Sequence, residues 1–265
     1  MKDIRYSMVL LLVFLSGISL SAKKQSAEAD SVRILFIGNS YTFYNKMPHM
    51  VDSIARSQKR KVSVTSVVKG GQQLSGHLKN AKLLSLLKKG GWNYVVIQER
   101  STNPAMPTGW VAENVYPYAH TLDSLIKAGS PNAEVIFYMT WGHKYGYKKK
   151  MAEYPAINSY EGMQMRLAGS YLEMAYDNEA RCAPVGLAWW KIRRERPGII
   201  LYNQDCSHPS VVGSYLAANV IYTTIFPAPY QTSYTAGLPA GEAEYIQQEA
   251  QNMVLGNERL LNIKE

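Results

Sequence analysis

The sequence predicts an α/β protein in which a parallel sheet carries helices on both faces. Two observations predict it. Short apolar runs rich in β-branched residues alternate along the chain with longer segments of helical periodicity. Glycine, proline and asparagine punctuate the junctions between them. With 265 residues, there is enough chain for one large domain with its own core.

Taken in order, Val32 to Ile37 is an apolar first strand that runs into Gly38-Asn39-Ser40. Met47 to Gln58 follows as a helix, with Met47, Met50, Val51 and Ile54 on one face. Val62 to Val68 is the second strand, followed by Gly70-Gly71. Leu74 to Leu87 reads as one helix closed by Gly90-Gly91. Tyr94 to Ile97 is the third strand and leads into a polar, proline-containing loop. A helix from about Val111 to Lys127 stops at Gly129-Ser130-Pro131, and Glu134 to Thr140 is the fourth strand. Ser159 to Asn178 is a long helix, and Arg181 to Pro184 a short fifth strand. Two covering helices are expected at Val211 to Phe226 and Glu242 to Leu261. The second carries Ile246, Ala250, Met253 and Val254 as an apolar stripe. No repeat or composition shift divides residues 23–265, which read as a single domain.

Right-handed crossovers place the C-terminal ends of parallel strands along one edge, where ligands bind in open α/β sheets. The chemistry-bearing residues fall at those ends. The first strand delivers Ser40, the second Gly71, the third Gln98 and Arg100, and the fourth Trp141 and His143. Asp205-Cys206-Ser207-His208-Pro209 opens the helix near Val211. These are the parts acyl transfer needs. A serine hydroxyl requires a base, and histidine titrates near neutral pH. A carboxylate fixes the histidine tautomer and stabilises the imidazolium. Ser40, His208 and Asp205 are therefore the candidate nucleophile, base and orienting acid. Backbone N–H groups at Ser40 and Gly71, with the Gln98 amide, are candidate oxyanion donors. Alone, each piece has a plainer reading, as a tight turn, a polar strand end or half a metal site. Their joint order favours the catalytic one.

In that order the residues resemble the SGNH, or GDSL-type, hydrolases. The resemblance rests on Gly38-Asn39-Ser40 after the first strand, a glycine after the second, an amide after the third, and Asp205-x-x-His208 near the end. It implies a flavodoxin-like three-layer α/β/α sandwich with Ser40 as nucleophile and the Asp-x-x-His block as its partner. Two departures stand out. Gly-Asn-Ser replaces the usual Gly-Asp-Ser, and Gln98 stands where the family has its oxyanion asparagine, with Asn103 as the alternative donor.

Tyrosine is abundant, at 19 residues, beside five tryptophans. Tyr41, Phe43, Trp110, Tyr116, Tyr145 and Tyr147 could form an aromatic rim, and Tyr41, Trp141, His143 and Arg100 are candidate substrate contacts. Such rings and cations suit a sugar polymer, an acidic one in particular, with Arg100 able to hold a carboxylate in a forked pair. The formal charge is +9, gathered in clusters such as Lys59-Arg60-Lys61, Lys148-Lys149-Lys150 and Lys191 to Arg196, expected between elements. No nucleic-acid-binding signature accompanies them.

Lys2 and Arg5, the apolar run Met8 to Leu15 and the small residues to Ala22 read as a cleaved leader over residues 1–22. Export to a periplasm or beyond is expected, without stable membrane insertion. The two cysteines, Cys182 and Cys206, are too few for a disulfide framework. His49, His77 and His120 lack metal-ligand spacing. The expected activity is hydrolysis of an O-acyl ester, acetyl above all, on a carbohydrate, with no metal or organic cofactor. The oligomeric state is left open. The rival reading is a non-catalytic glycan- or phosphate-binding module, in which the Asn39 to Thr42 turn cradles an anion with its N–H groups.

Overall fold

The computed structural model describes residues 31–148 and 154–264. The expected leader, Lys149 and Lys150 lie outside them. Five strands, β1 (Val32–Gly38), β2 (Val62–Val68), β3 (Tyr94–Ile97), β4 (Glu134–Tyr138) and β5 (Arg181–Ala183), form one sheet in the order β2-β1-β3-β4-β5. Every neighbouring pair is parallel. The central strands are apolar because both faces are covered: Ile34, Leu35, Phe36 and Ile37 of β1 are fully buried.

The helices are α1 (Ser40–Phe43), α2 (Met47–Ser57), α3 (Leu74–His77), α4 (Ala81–Lys89), α5 (Thr108–Asn114), α6 (Tyr116–Gly129), α7 (Tyr160–Asp177), α8 (Val185–Glu195), α9 (Val211–Ile225) and α10 (Ala240–Val254). One layer packs α9 against α2, α8 and α10, while the other holds α4, α6 and α7. The result is the three-layer α/β/α sandwich. Helix α9 is the most deeply placed, and its buried Asn219, Thr223 and Thr224 direct hydrogen bonds to carbonyls one turn back on their own helix. Among the described residues, no helix is long and apolar enough to cross a membrane.

The structure corrects several boundaries. The helix expected over Leu74 to Leu87 is two, because the Asn80 side chain accepts from Leu83 N at 3.0 Å and starts a new helix there. The helix expected over Val111 to Lys127 breaks at Val115, before Pro117, whose ring nitrogen cannot donate. Lys191 to Glu195 is not a loop but the end of α8, where Lys191 pairs with Glu195 and Glu249. Pro209 is not in the first turn of α9. Ser210 caps that helix by accepting from Gly213 N at 3.1 Å.

Candidate active site

The turn after β1 is where a strand must become a helix within two residues. Gly38 permits it: a Cβ there would lie 2.4 Å from Thr42 Oγ1 and 2.7 Å from Gln98 Oε1. Asn39 caps α1, its Oδ1 accepting from Tyr41 N at 3.1 Å and its Nδ2 donating to Gln72 O at 3.1 Å. One asparagine thus ties the serine turn to the loop that carries Gly71. His77 supports the turn from below, donating from Nε2 to Gly38 O at 3.0 Å, and burial lowers its pKa. Ser40 emerges as the first residue of α1, a position whose N–H has no intrahelical acceptor.

The second loop is closed locally. Tyr202 and Pro209 form an antiparallel bridge, Asn203 N donates to His208 O at 2.8 Å, and Ser210 N donates to Leu201 O at 2.9 Å. The turn inside this closure aims Asp205 and His208 the same way. Asp205 Oδ1 accepts from the N–H groups of Ser207 and His208 at 3.0 and 2.9 Å, and Oδ2 accepts from His208 Nδ1. Burial pushes the Asp205 carboxyl up, but these hydrogen bonds outweigh it and hold the pKa below the usual value. A carboxylate can only accept, so the ring proton sits on Nδ1 and the neutral ring offers a lone pair at Nε2. Ser40 Oγ lies 2.8 Å from that nitrogen. Hydroxyl, imidazole and carboxylate, 168 residues apart in sequence at their widest step, stand in one hydrogen-bonded row. Tyr44 stacks on the imidazole at 4.4 Å and Tyr41 meets it edge-on at 5.6 Å, which restricts its rotation.

The row opens on a cleft of about 370 Å³ lined by Ser40, Gly71, Arg100, His143, Ser207 and His208 among others. Gly71 lines the cleft with φ of +66°, a conformation that side chains strain to adopt. Arg100 is exposed at the rim. His143 reaches the cleft wall with Nε2 3.2 Å from Ser207 Oγ, whose other neighbour is Tyr41 OH at 2.6 Å. Tyr41 lines the cleft, yet it is only 3% exposed, and burial pushes its phenol up to about 12.

Two expected contacts do not reach the cleft. Gln98 is fully buried beneath the serine turn. Its Oε1 accepts from Asn39 N at 3.0 Å and Thr42 Oγ1 at 2.9 Å, while Nε2 donates to Glu99 O. A backbone N–H can only donate, which fixes the amide's orientation. Gln98 is therefore a strut under the turn and not an oxyanion donor. Trp141 is also fully buried, stacked between Tyr41 at 4.6 Å and Trp189 at 3.9 Å, and it donates from Nε1 to Ser207 O at 3.0 Å. It supports the histidine loop and does not line the cleft. The rim also thins: Tyr116 donates to Glu173, and neither it nor Phe43 or Tyr145 lines the cleft. Asn103, the alternative oxyanion donor, gives its Nδ2 to Glu99 Oε1 at 3.1 Å.

Sequence reasoning missed Glu99. This buried carboxyl also accepts from Leu74 N at 2.9 Å and Arg100 N at 2.6 Å, so it joins the Gly71 loop to the Arg100 loop. Burial raises it to about 7, against the pull of those donors. A charged residue two places after an apolar strand was the available signal. Ser207 was missed as well. Its Oγ, N–H and carbonyl are all engaged, and nothing in its sequence context marks it out.

The phosphate-cradle reading fares poorly on this geometry. Of the turn's amides, Asn39 N is taken by Gln98 and Tyr41 N by Asn39, and Thr42 N donates to Asn39 O at 3.0 Å.

No protein-family model and no curated protein matches the chain. Solved structures do. A candidate SGNH hydrolase from Slackia heliotrinireducens is 32% identical, with 72% of this chain and 97% of that one covered at a TM-score of 0.58. A DUF4886 family protein from Bacteroides uniformis is 16% identical over 89% of this chain and 97% of that one, with a TM-score of 0.67. An acetylxylan esterase from Geobacillus stearothermophilus is 14% identical over 77% and 99%, with a TM-score of 0.55. The last two likenesses concern the fold.

Proposed function

This chain belongs to the SGNH hydrolases, and we propose that within them it is an exported serine esterase removing an O-acyl group, acetyl in the first instance, from a carbohydrate. The observation that carries this reading is the row from Ser40 Oγ through His208 to Asp205, opening on a cleft. In this mechanism Ser40 attacks the ester carbonyl as His208 Nε2 takes its proton. Asp205, held charged by its hydrogen bonds, stabilises the imidazolium. The oxyanion is met by the N–H groups of Ser40 and Gly71, both of which line the cleft and are the candidate donors that remain once Gln98 is excluded. His208 then returns the proton to the leaving alcohol. Water, activated by the same imidazole, hydrolyses the acyl-enzyme and frees Ser40.

A structural neighbour is described as an acetylxylan esterase, and aromatic side chains flank the cleft. Export rests on the sequence pattern of residues 1–22.

The test compares wild type with Ser40→Ala and His208→Ala on a small aryl acetate and on a panel of acetylated glycans, reading released acid. Wild-type turnover should fall by several orders of magnitude in both variants. Retained activity in Ser40→Ala would remove the serine from the mechanism. A loss of only a few-fold in His208→Ala would deny it the base role.

A further inference from the structure

We propose that the leaving-alcohol side of this site binds a carboxylate-bearing sugar, a uronic acid residue, with Arg100 gripping the carboxylate at the junction of two clefts. The proposal rests on the esterase reading above. Beside the catalytic cleft lies a second cleft of about 350 Å³, and the two share Arg100, Thr102 and Tyr147. They therefore meet along one wall, with Ser40 in the first and aromatic surface in the second.

The second cleft has the make-up of a sugar site. Trp110, 40% exposed, is one of its walls. Tyr147, Tyr154 and Met106 form others, and all three pack against the hydrophobic core from behind. Their surfaces are thus held in place rather than free to collapse, and the apolar faces of pyranose rings stack on such surfaces. Tyr147 is further fixed by His143, which meets it edge-on at 5.5 Å.

The charge is equally specific. Among the described residues lining the two clefts, Arg100 is the sole lysine or arginine, and no aspartate or glutamate lines either. The nearby carboxylate of Glu99 is turned inward onto Leu74 N, Arg100 N and Asn103 Nδ2. Arg100 makes no ion pair among the described residues. An exposed guanidinium between a reaction centre and an aromatic cleft is suited to a planar, doubly accepting anion. A carboxylate on the acyl side would be expected near Ser40. One on the sugar side would let the ring occupy the aromatic cleft, and only this second placement uses both features.

The experiment measures kcat/KM for an acetylated uronate oligosaccharide and for an acetylated neutral oligosaccharide of equal length, with an aryl acetate and an aryl hemisuccinate as further arms. Wild type should prefer the acidic oligosaccharide by roughly 10- to 100-fold, the worth of a charged hydrogen-bonded contact. The preference should shrink as salt rises. Arg100→Ala should bring the ratio close to one, and Arg100→Lys should restore part of it. Trp110→Ala should raise KM for both oligosaccharides and leave their ratio in place. No acidic preference in wild type, or a ratio that survives Arg100→Ala, would overturn the proposal. So would a preference for the hemisuccinate without one for the uronate, or cleavage of the aryl acetate with neither oligosaccharide accepted. Failure of the esterase reading shows separately, as absence of Ser40-dependent aryl acetate hydrolysis.

Discussion

Replacing Gln98 by alanine separates two roles that its position after β3 could suggest. As an oxyanion donor, its loss would cost about 10²- to 10³-fold in kcat with the fold intact. As the strut seen here, its loss falls on stability. The Asn39 N–H would be left buried without its acceptor, at about 1–3 kcal/mol. Thr42 Oγ1 and Glu99 O would lose partners as well. A cavity would open beside the fully buried end of β1. Together these amount to about 3–5 kcal/mol, or a fall in Tm of roughly 6–20 °C for a domain of this size. The assay is thermal and urea unfolding followed by tryptophan fluorescence, with kcat on an aryl acetate measured well below the transition. The structure predicts a large loss of stability, with any loss of kcat arising because Ser40 is no longer held. An unchanged unfolding midpoint together with a kcat loss of 10²-fold or more would refute the strut role and return Gln98 to the oxyanion hole.

Further expectations concern the buried and exposed carboxylates. Asp205→Asn keeps the shape of the row but offers an amide to Nδ1, so the wrong tautomer is favoured. Initial-rate assays at neutral pH should show kcat reduced by roughly 10³- to 10⁴-fold, and a loss under tenfold would contradict the assignment. Glu99 has a folded-state pKa raised to about 7 from an ordinary 4.5. The folded chain therefore binds this proton more tightly than the unfolded one. The resulting stability is fully present below about pH 4.5 and lost as pH rises through about 7, by about 3 kcal/mol. Glu99→Gln should flatten that part of the stability–pH curve, read by urea titrations at a series of pH values. An identical slope in variant and wild type would show that folding does not raise the Glu99 pKa.

The sheet was legible because the central strands each contain a continuous apolar run, and Ile34 to Ile37 after Arg33 and Tyr94–Ile97 stand out from their surroundings. Helix breaks were harder to read. Asn80 and Pro117 interrupt segments whose apolar period continues across them, so the local cap or missing donor wins over the pattern. Helix α8 was obscured by its charge, although Val185, Ala188, Trp189 and Ile192 do lie on one buried face. At the site, Ser40, Asp205 and His208 were legible because their chemistry and chain order are restrictive. Gln98 and Trp141 misled because a strand end names a place but not a direction. Both side chains point into the protein, toward the turn and loop they brace. Glu99 and Ser207 act through several hydrogen bonds to backbone and side chains, and such partners are set only by the folded chain.

The central claim is that Ser40 Oγ is the atom that carries the acyl group, and covalent labelling tests it most directly. After exposure to an aryl fluorophosphonate, intact mass and peptide mapping should show one adduct, on Ser40. The adduct should be absent from Ser40→Ala and form far more slowly in His208→Ala. An adduct on Ser207 or another hydroxyl, or labelling of Ser40 at the same rate without His208, would contradict it.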